Sequence, residues 1–83
     1  MTKRLLKVSN ALEARPAALF VQTASKFQSN IYIEVDKKNV NAKSIMGIMS
    51  IGILDGQTIT ITANGEDELE AITELDKFLS TAQ

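Results

Sequence analysis

Eighty-three residues leave room for one compact domain with one small core and no separate catalytic lobe. Nine basic and ten acidic residues give a formal net charge of −1, which offers no electrostatic attraction to nucleic acid or to an anionic membrane. The chain contains neither cysteine nor histidine, so disulfides, thiolate nucleophiles, phosphohistidine chemistry, histidine general bases and histidine or cysteine metal ligation are all excluded.

A hydrophobic content of 45% suits a folded, soluble protein, and the lack of cysteine suits a reducing cytoplasm. The opening Met1-Thr2-Lys3-Arg4-Leu5-Leu6-Lys7 is basic but lacks the apolar run of a signal peptide. No stretch approaches the roughly 20 apolar residues of a membrane span. The expectation is a cytoplasmic protein with no cofactor and no metal.

Leu6 and Val8 alternate with Leu5 and Lys7, a weak period-two pattern for a first strand. Ser9 to Glu13 reads as a loop. From Ala14 to Phe27 the apolar Ala17, Phe20, Val21, Ala24 and Phe27 recur at three- and four-residue spacing, which predicts a helix. Pro16 is tolerated in its first turn, where a missing N–H removes no bond, and Glu13 sits at the helix mouth. Asn30 to Val35 alternates strictly, with Ile31, Ile33 and Val35 on one face, and predicts a strand. Asp36 to Asn39 then makes a polar turn, and Val40 to Ala42 a short return strand.

The segment from Asn41 to Gly52 is the densest in signals. Asn41 and Lys43 lead into Ser44, whose hydroxyl suits the unpaired N–H groups of a first helical turn, and Gly52 suits a left-handed terminator. Between them, Ile45, Met46, Ile48, Met49 and Ile51 go more than halfway round a helix, so a short helix lying on a sheet cannot bury them all. Ser44 reads as an ordinary cap beside core residues, or as a switch. Phosphorylation there would add a charge of about −1.5 to −2 at the positive end of the helix dipole, beside an exposed apolar surface with flexible methionines.

Leu54-Asp55-Gly56 turns the chain into Gln57 to Ala63, the clearest strand, with Ile59, Ile61 and Ala63 facing the core. Asn64-Gly65 ends it. Glu66, Asp67 and Glu68 read as helix-start charges on a solvated face, ahead of a stripe of Leu69, Ile72, Leu75, Phe78 and Leu79. The order βαββαβα, with no internal repeat or linker, predicts a single α+β domain over residues 1–83, with helices on one face of a mostly antiparallel sheet.

Two segments resemble the histidine-containing phosphocarrier (HPr) family. Ala11-Leu12-Glu13-Ala14-Arg15-Pro16-Ala17 is similar to its Gly-Leu/Ile-His-Ala-Arg-Pro-Ala active-site loop, and Asn41-Ala42-Lys43-Ser44-Ile45-Met46-Gly47-Ile48-Met49 to its regulatory serine motif. The resemblance extends to Val21-Gln22-Thr23-Ala24-Ser25-Lys26-Phe27 and Asn64-Gly65-Glu66-Asp67-Glu68. It implies an HPr-like open-faced sandwich, a four-stranded antiparallel sheet with three helices on one face. Glu13, however, stands where the family carries its phosphorylated histidine, and Ala11 replaces the usual glycine.

This pattern resembles the catabolite-repression HPr homologues, which lack the histidine and keep the serine. The resemblance implies a regulator rather than an enzyme, phosphorylated on Ser44 by HPr kinase/phosphorylase and then acting as corepressor for a LacI-type catabolite control protein. Ile45, Met46 and Met49 would be the apolar contacts, with Lys43, Arg15 and Glu13 in the partner-binding surface. Glu13 reads either as a helix-mouth carboxylate or as a fixed-charge imitation of phosphohistidine. The alternative is a phosphocarrier-type component or decoy that engages the first enzyme of the sugar phosphotransferase system. The resemblance leaves open a monomer or a strand-swapped homodimer.

Overall fold

Period-two alternation decides which side of a sheet is covered, and here it is obeyed on the two central strands. A computed structural model describes residues 1–9, 14–53 and 56–80, the side chains of residues 14 and 15 excepted. Its strands β1 (Thr2–Lys7), β2 (Asn30–Val35), β3 (Lys38–Asn41) and β4 (Thr58–Asn64) form one antiparallel sheet in the order β1-β4-β2-β3. Ile31, Ile33 and Val35 of β2 and Ile59, Ile61 and Ala63 of β4 are buried, while Tyr32, Glu34 and Thr58 are exposed. The pairing sets Ile33 opposite Ile61 and, in the neighbouring row, Leu6 opposite Ile59, so apolar side chains line one face of the sheet.

Three helices cover that face: α1 (Ala14–Ser25), α2 (Ile45–Ile51) and α3 (Glu68–Ser80). From α1 come Ala17, Phe20 and Ala24, and from α3 Ala71, Ile72, Leu75 and Leu79, all buried. Phe20 meets Phe78 edge-on, ring centres 5.6 Å apart and planes at 70°, an arrangement favoured by the aromatic quadrupole. The expected α+β open-faced sandwich is therefore present.

Several boundaries differ from expectation. β1 begins at Thr2, because Thr2, Arg4 and Leu6 turn toward the helices while Lys3, Leu5 and Lys7 face outward. The hairpin is tighter: Asp36, at φ 57, and Lys37 make the turn, and β3 starts at Lys38, paired with Val35. Helix α1 stops at Ser25, two residues short of Phe27. Leu69 is 67% exposed rather than buried, since at 3.6 residues per turn it lies about a quarter of a turn from the Ile72, Leu75 and Leu79 face. The predicted loop through Glu13 and the turn at Leu54-Asp55 fall, from residue 10 to 13 and at 54 and 55, outside the described residues.

The acids before α3 are not simply solvated charges. The Asp67 carboxylate accepts bonds from the Gln28 N–H at 2.8 Å, the Ser29 N–H at 3.0 Å and the Ser29 hydroxyl. It thereby joins the start of α3 to the start of β2. Gly65 lies so close to Ser29 that a Cβ would come 2.7 Å from its Cα, which forbids a side chain there. Glu68 accepts from the Gly65 N–H at 3.3 Å and from the Thr2 hydroxyl, and Arg4 donates to Asp76 at 2.9 Å, so β1 is tied to α3.

These contacts have a pH signature. The Ser29 hydroxyl, then the Gln28 N–H, hold the Asp67 carboxyl below its ordinary value; the Thr2 hydroxyl, then the Gly65 N–H, do the same for Glu68. A carboxyl whose folded value is depressed stabilises the fold above its unfolded value and loses that contribution as pH falls through the folded one. Asp67→Ala is expected to lower the melting temperature near neutral pH, with the gap from wild type narrowing below about pH 4. Thermal melts across that range check it, and a constant gap would exclude the carboxylate's charge as the cause. Phe20→Ala, which empties the centre of the core, is expected to cost about 3–5 kcal/mol in denaturant unfolding.

Candidate functional site

The segment that carries the site leaves the sheet through a turn made by a side chain. Asn41, the last residue of β3, accepts the Lys43 N–H on its Oδ1 at 2.8 Å and the Ser44 N–H on its carbonyl at 3.1 Å. Such a turn is what a short amide side chain does well, mimicking a backbone bend. It delivers Ser44 in an extended conformation, φ −108 and ψ 113, at the threshold of α2.

The Ser44 Oγ then accepts the Gly47 N–H at 3.1 Å, and its carbonyl accepts the Ile48 N–H at 3.0 Å. The serine is thus the cap that its sequence context predicts. At the far end Gly52 is left-handed at φ 58, as the terminator expected there. Gly47 also lets α2 sit close on β3, since a Cβ at that position would lie 3.2 Å from the Val40 Cβ.

Of the five apolar side chains on α2, only Ile48 is fully buried, and Ile51 is partly so. Ile45, Met46 and Met49 are 40%, 79% and 45% exposed, and Ser44 is half-buried at their edge. The helix therefore does present an apolar surface to solvent beside the half-buried Ser44. Helix α1 packs against α2 and exposes Leu19 as well.

Lys43 has a contact that the sequence does not announce. Its ammonium donates to the Phe27 carbonyl at 2.6 Å, tying the segment after α1 to the segment before α2. A cation suits a carbonyl left unpaired past a helix end. The structure thus places Ile45, Met46 and Met49 on α2, with Lys43 and Ser44 in the segment that leads into it. Arg15 belongs to the first turn of α1, and its side chain, like the whole of Glu13, lies outside the described residues. Among the described residues no group of three acidic side chains is placed to hold a metal ion. No described helix is long and apolar enough to cross a membrane.

The sequence profile described as the phosphotransferase-system HPr component phosphorylation site matches residues 3–81. The chain belongs to the HPr family. The HPr-like protein Crh of Halalkalibacterium halodurans is 55% identical over 74 residues, which are 89% of this chain and 88% of that protein. Among solved HPr structures, the phosphocarrier protein HPr of Bacillus anthracis superposes with a TM-score of 0.92 at 51% identity, covering 95% of this chain and 96% of that one. The catabolite-repression protein Crh of Bacillus subtilis superposes with a TM-score of 0.79 at 49% identity, over 94% of this chain and 90% of that one. Its crystal structure is described as a domain-swapped, intertwined dimer.

What sequence reasoning missed in this HPr-family site is the Asn41 turn and the Lys43 tie. An asparagine three residues ahead of a capping serine is a legible signal for the first. The partner of Lys43 lies 16 residues away, and nothing local points to it. Removing the cap is the direct test of the local geometry. Ser44→Ala is expected to destabilise the fold by about 1 kcal/mol in denaturant unfolding, whereas Ser44→Asp, which can accept the same N–H bond, stays within a few tenths.

Proposed function

We propose that this HPr-family chain is a regulator of carbon catabolite repression, switched by phosphorylation of Ser44 and read by a repressor. An HPr kinase/phosphorylase transfers the γ-phosphoryl group of ATP to the Ser44 Oγ, which gives up its proton. The phosphorylated chain then acts as corepressor for a LacI-type catabolite control protein. It is a substrate and a ligand rather than an enzyme, and the cytoplasm is where such a repressor works.

The observation that carries this reading is the half-buried Ser44, whose hydroxyl caps α2 at the edge of an apolar surface made by Ile45, Met46 and Met49. A phosphate added there supplies charge to a basic pocket of the repressor, while the apolar side chains pack beside it. Arg15 adds a planar donor on α1, and Lys43, held by the Phe27 carbonyl, keeps the entrance to α2 in place. The Crh names of the relatives support the same assignment.

The complete absence of histidine removes the phosphoramidate chemistry of a histidine phosphocarrier. Glu13, at that position by sequence resemblance, supplies a fixed negative charge instead. The match over residues 3–81 supports a single HPr-like domain. In that domain β1 is an edge strand bonded to β4, with side-chain ties to α3, and exchanging it between two copies would remake each of those bonds in a homodimer.

Incubation with HPr kinase and ATP is expected to give one phosphorylated species by mass spectrometry, absent in Ser44→Ala. Phosphate on another residue, or labelling from phosphoenolpyruvate through the first phosphotransferase enzyme, would overturn the assignment in favour of a carrier. Glu13→Gln is expected to weaken partner binding severalfold if the fixed charge imitates phosphohistidine, and equal affinity by calorimetry would assign Glu13 to the helix mouth alone.

A further inference from the structure

The placement of sulfur in this chain is unusual. Methionine is a ready filler of core gaps, yet the buried core here is built from Ile, Leu, Val, Ala and Phe without a single methionine. All three methionines are at the surface: Met1, Met46 and Met49 are 74%, 79% and 45% exposed. With no cysteine in the chain, these thioethers are its only sulfur atoms. Two of the three stand on α2, three residues apart and so neighbours on one helical face, with Ile45 beside them and Ser44 at their edge.

We infer that Met46 and Met49 form an oxidation-sensitive switch on the docking face, set by peroxide and reversed by methionine sulfoxide reduction. The inference rests on the Ser44 reading above, because it concerns the surface that the repressor covers. The thioether sulfur attacks one oxygen of hydrogen peroxide and the O–O bond breaks. The sulfur keeps one oxygen as a sulfoxide, and the other leaves as water after taking the remaining proton. Two electrons pass from sulfur to peroxide. The reverse step is a reductase reaction in which a dithiol takes the oxygen away as water and becomes a disulfide.

The chemistry matters because of where it falls. Oxidation replaces a flexible apolar side chain with a polar, chiral one. On a solvated surface the sulfoxide oxygen is hydrated and the fold is undisturbed. Under a docked partner that oxygen loses its water, and an apolar contact offers no donor in exchange. Two of the three strongly exposed apolar side chains on α2 change in this way, while Ile45 cannot. Met46, the more exposed, is oxidised first. The Ser44 cap is made by backbone and hydroxyl groups and survives, so the chain stays phosphorylatable while it loses its reader.

The test treats the full chain with hydrogen peroxide, maps oxidation by peptide mass spectrometry, phosphorylates it with HPr kinase and ATP, and measures repressor binding by calorimetry. Each protein is compared with its own untreated form. The expected result is conversion of Met46 ahead of Met49, binding about tenfold weaker after oxidation, and recovery after methionine sulfoxide reductase with dithiothreitol. A Met46→Leu, Met49→Leu double variant should show an oxidised-to-untreated ratio near one, whatever its starting affinity. Circular dichroism of the oxidised chain should match the untreated one. Equal binding of oxidised and untreated wild type, with both sulfoxides confirmed, overturns the switch and leaves the Ser44 reading intact. Failure of untreated, Ser44-phosphorylated protein to bind the repressor overturns the Ser44 reading, and the switch with it.

Discussion

The hydrogen bond from the Gly47 amide to the Ser44 hydroxyl is the contact on which the apolar surface of α2 depends. A helix of seven residues is far too short to hold itself together in water, and α2 has one fully buried side chain, Ile48, to fix it to the core. Its ends therefore decide its survival. Asn41 bends the chain into it, Ser44 closes its first turn, and the left-handed Gly52 closes its last. Because the ends hold the helix, Ile45, Met46 and Met49 need not be buried to keep it in place. An apolar surface can then be displayed without unfolding the element that bears it.

How much of this is legible in the sequence depends on the range of the interaction. Strands β2 and β4 are plain in the alternation of Ile31, Ile33 and Val35 and of Ile59, Ile61 and Ala63, because both faces of those strands are decided by burial. The cap at Ser44 and the terminator at Gly52 are equally plain, since capping is chemistry between near neighbours. The first half of β1 is not, because Thr2, Lys3 and Arg4 carry no apolar alternation, and Thr2 and Arg4 are held by the distant Glu68 and Asp76. Asp67 misleads for the same reason. Its composition says helix start, but its partners Gln28 and Ser29 lie 39 and 38 residues away. The partner-binding roles of Glu13 and Arg15 rest on resemblance to a family motif, and the described side chains do not include theirs.

Among the described residues the core closes on side chains from sheet and helices alike. Phe20, Ile61, Ile72, Leu75 and their neighbours fill the space between sheet and helices from α1, β4 and α3. A chain without histidine superposes on a phosphocarrier HPr with a TM-score of 0.92, so likeness of fold alone does not separate a carrier from a regulator. Chemistry separates them. Without histidine the chain cannot form the phosphoramidate, while the hydroxyl at Ser44 and its apolar surround remain.

The arrangement of β1 has a consequence for how the protein is made. Residues 2–7 have their strand partner in residues 58–63, and the ties from Thr2 and Arg4 lead to Glu68 and Asp76. During synthesis β1 waits for β4 and α3 before it can lock in place, with Leu6 and Val8 unsheltered on the ribosome in the meantime. Any nascent copy thus carries an unpaired β1 until β4 is made, and neighbouring chains on one messenger are the molecules nearest to it.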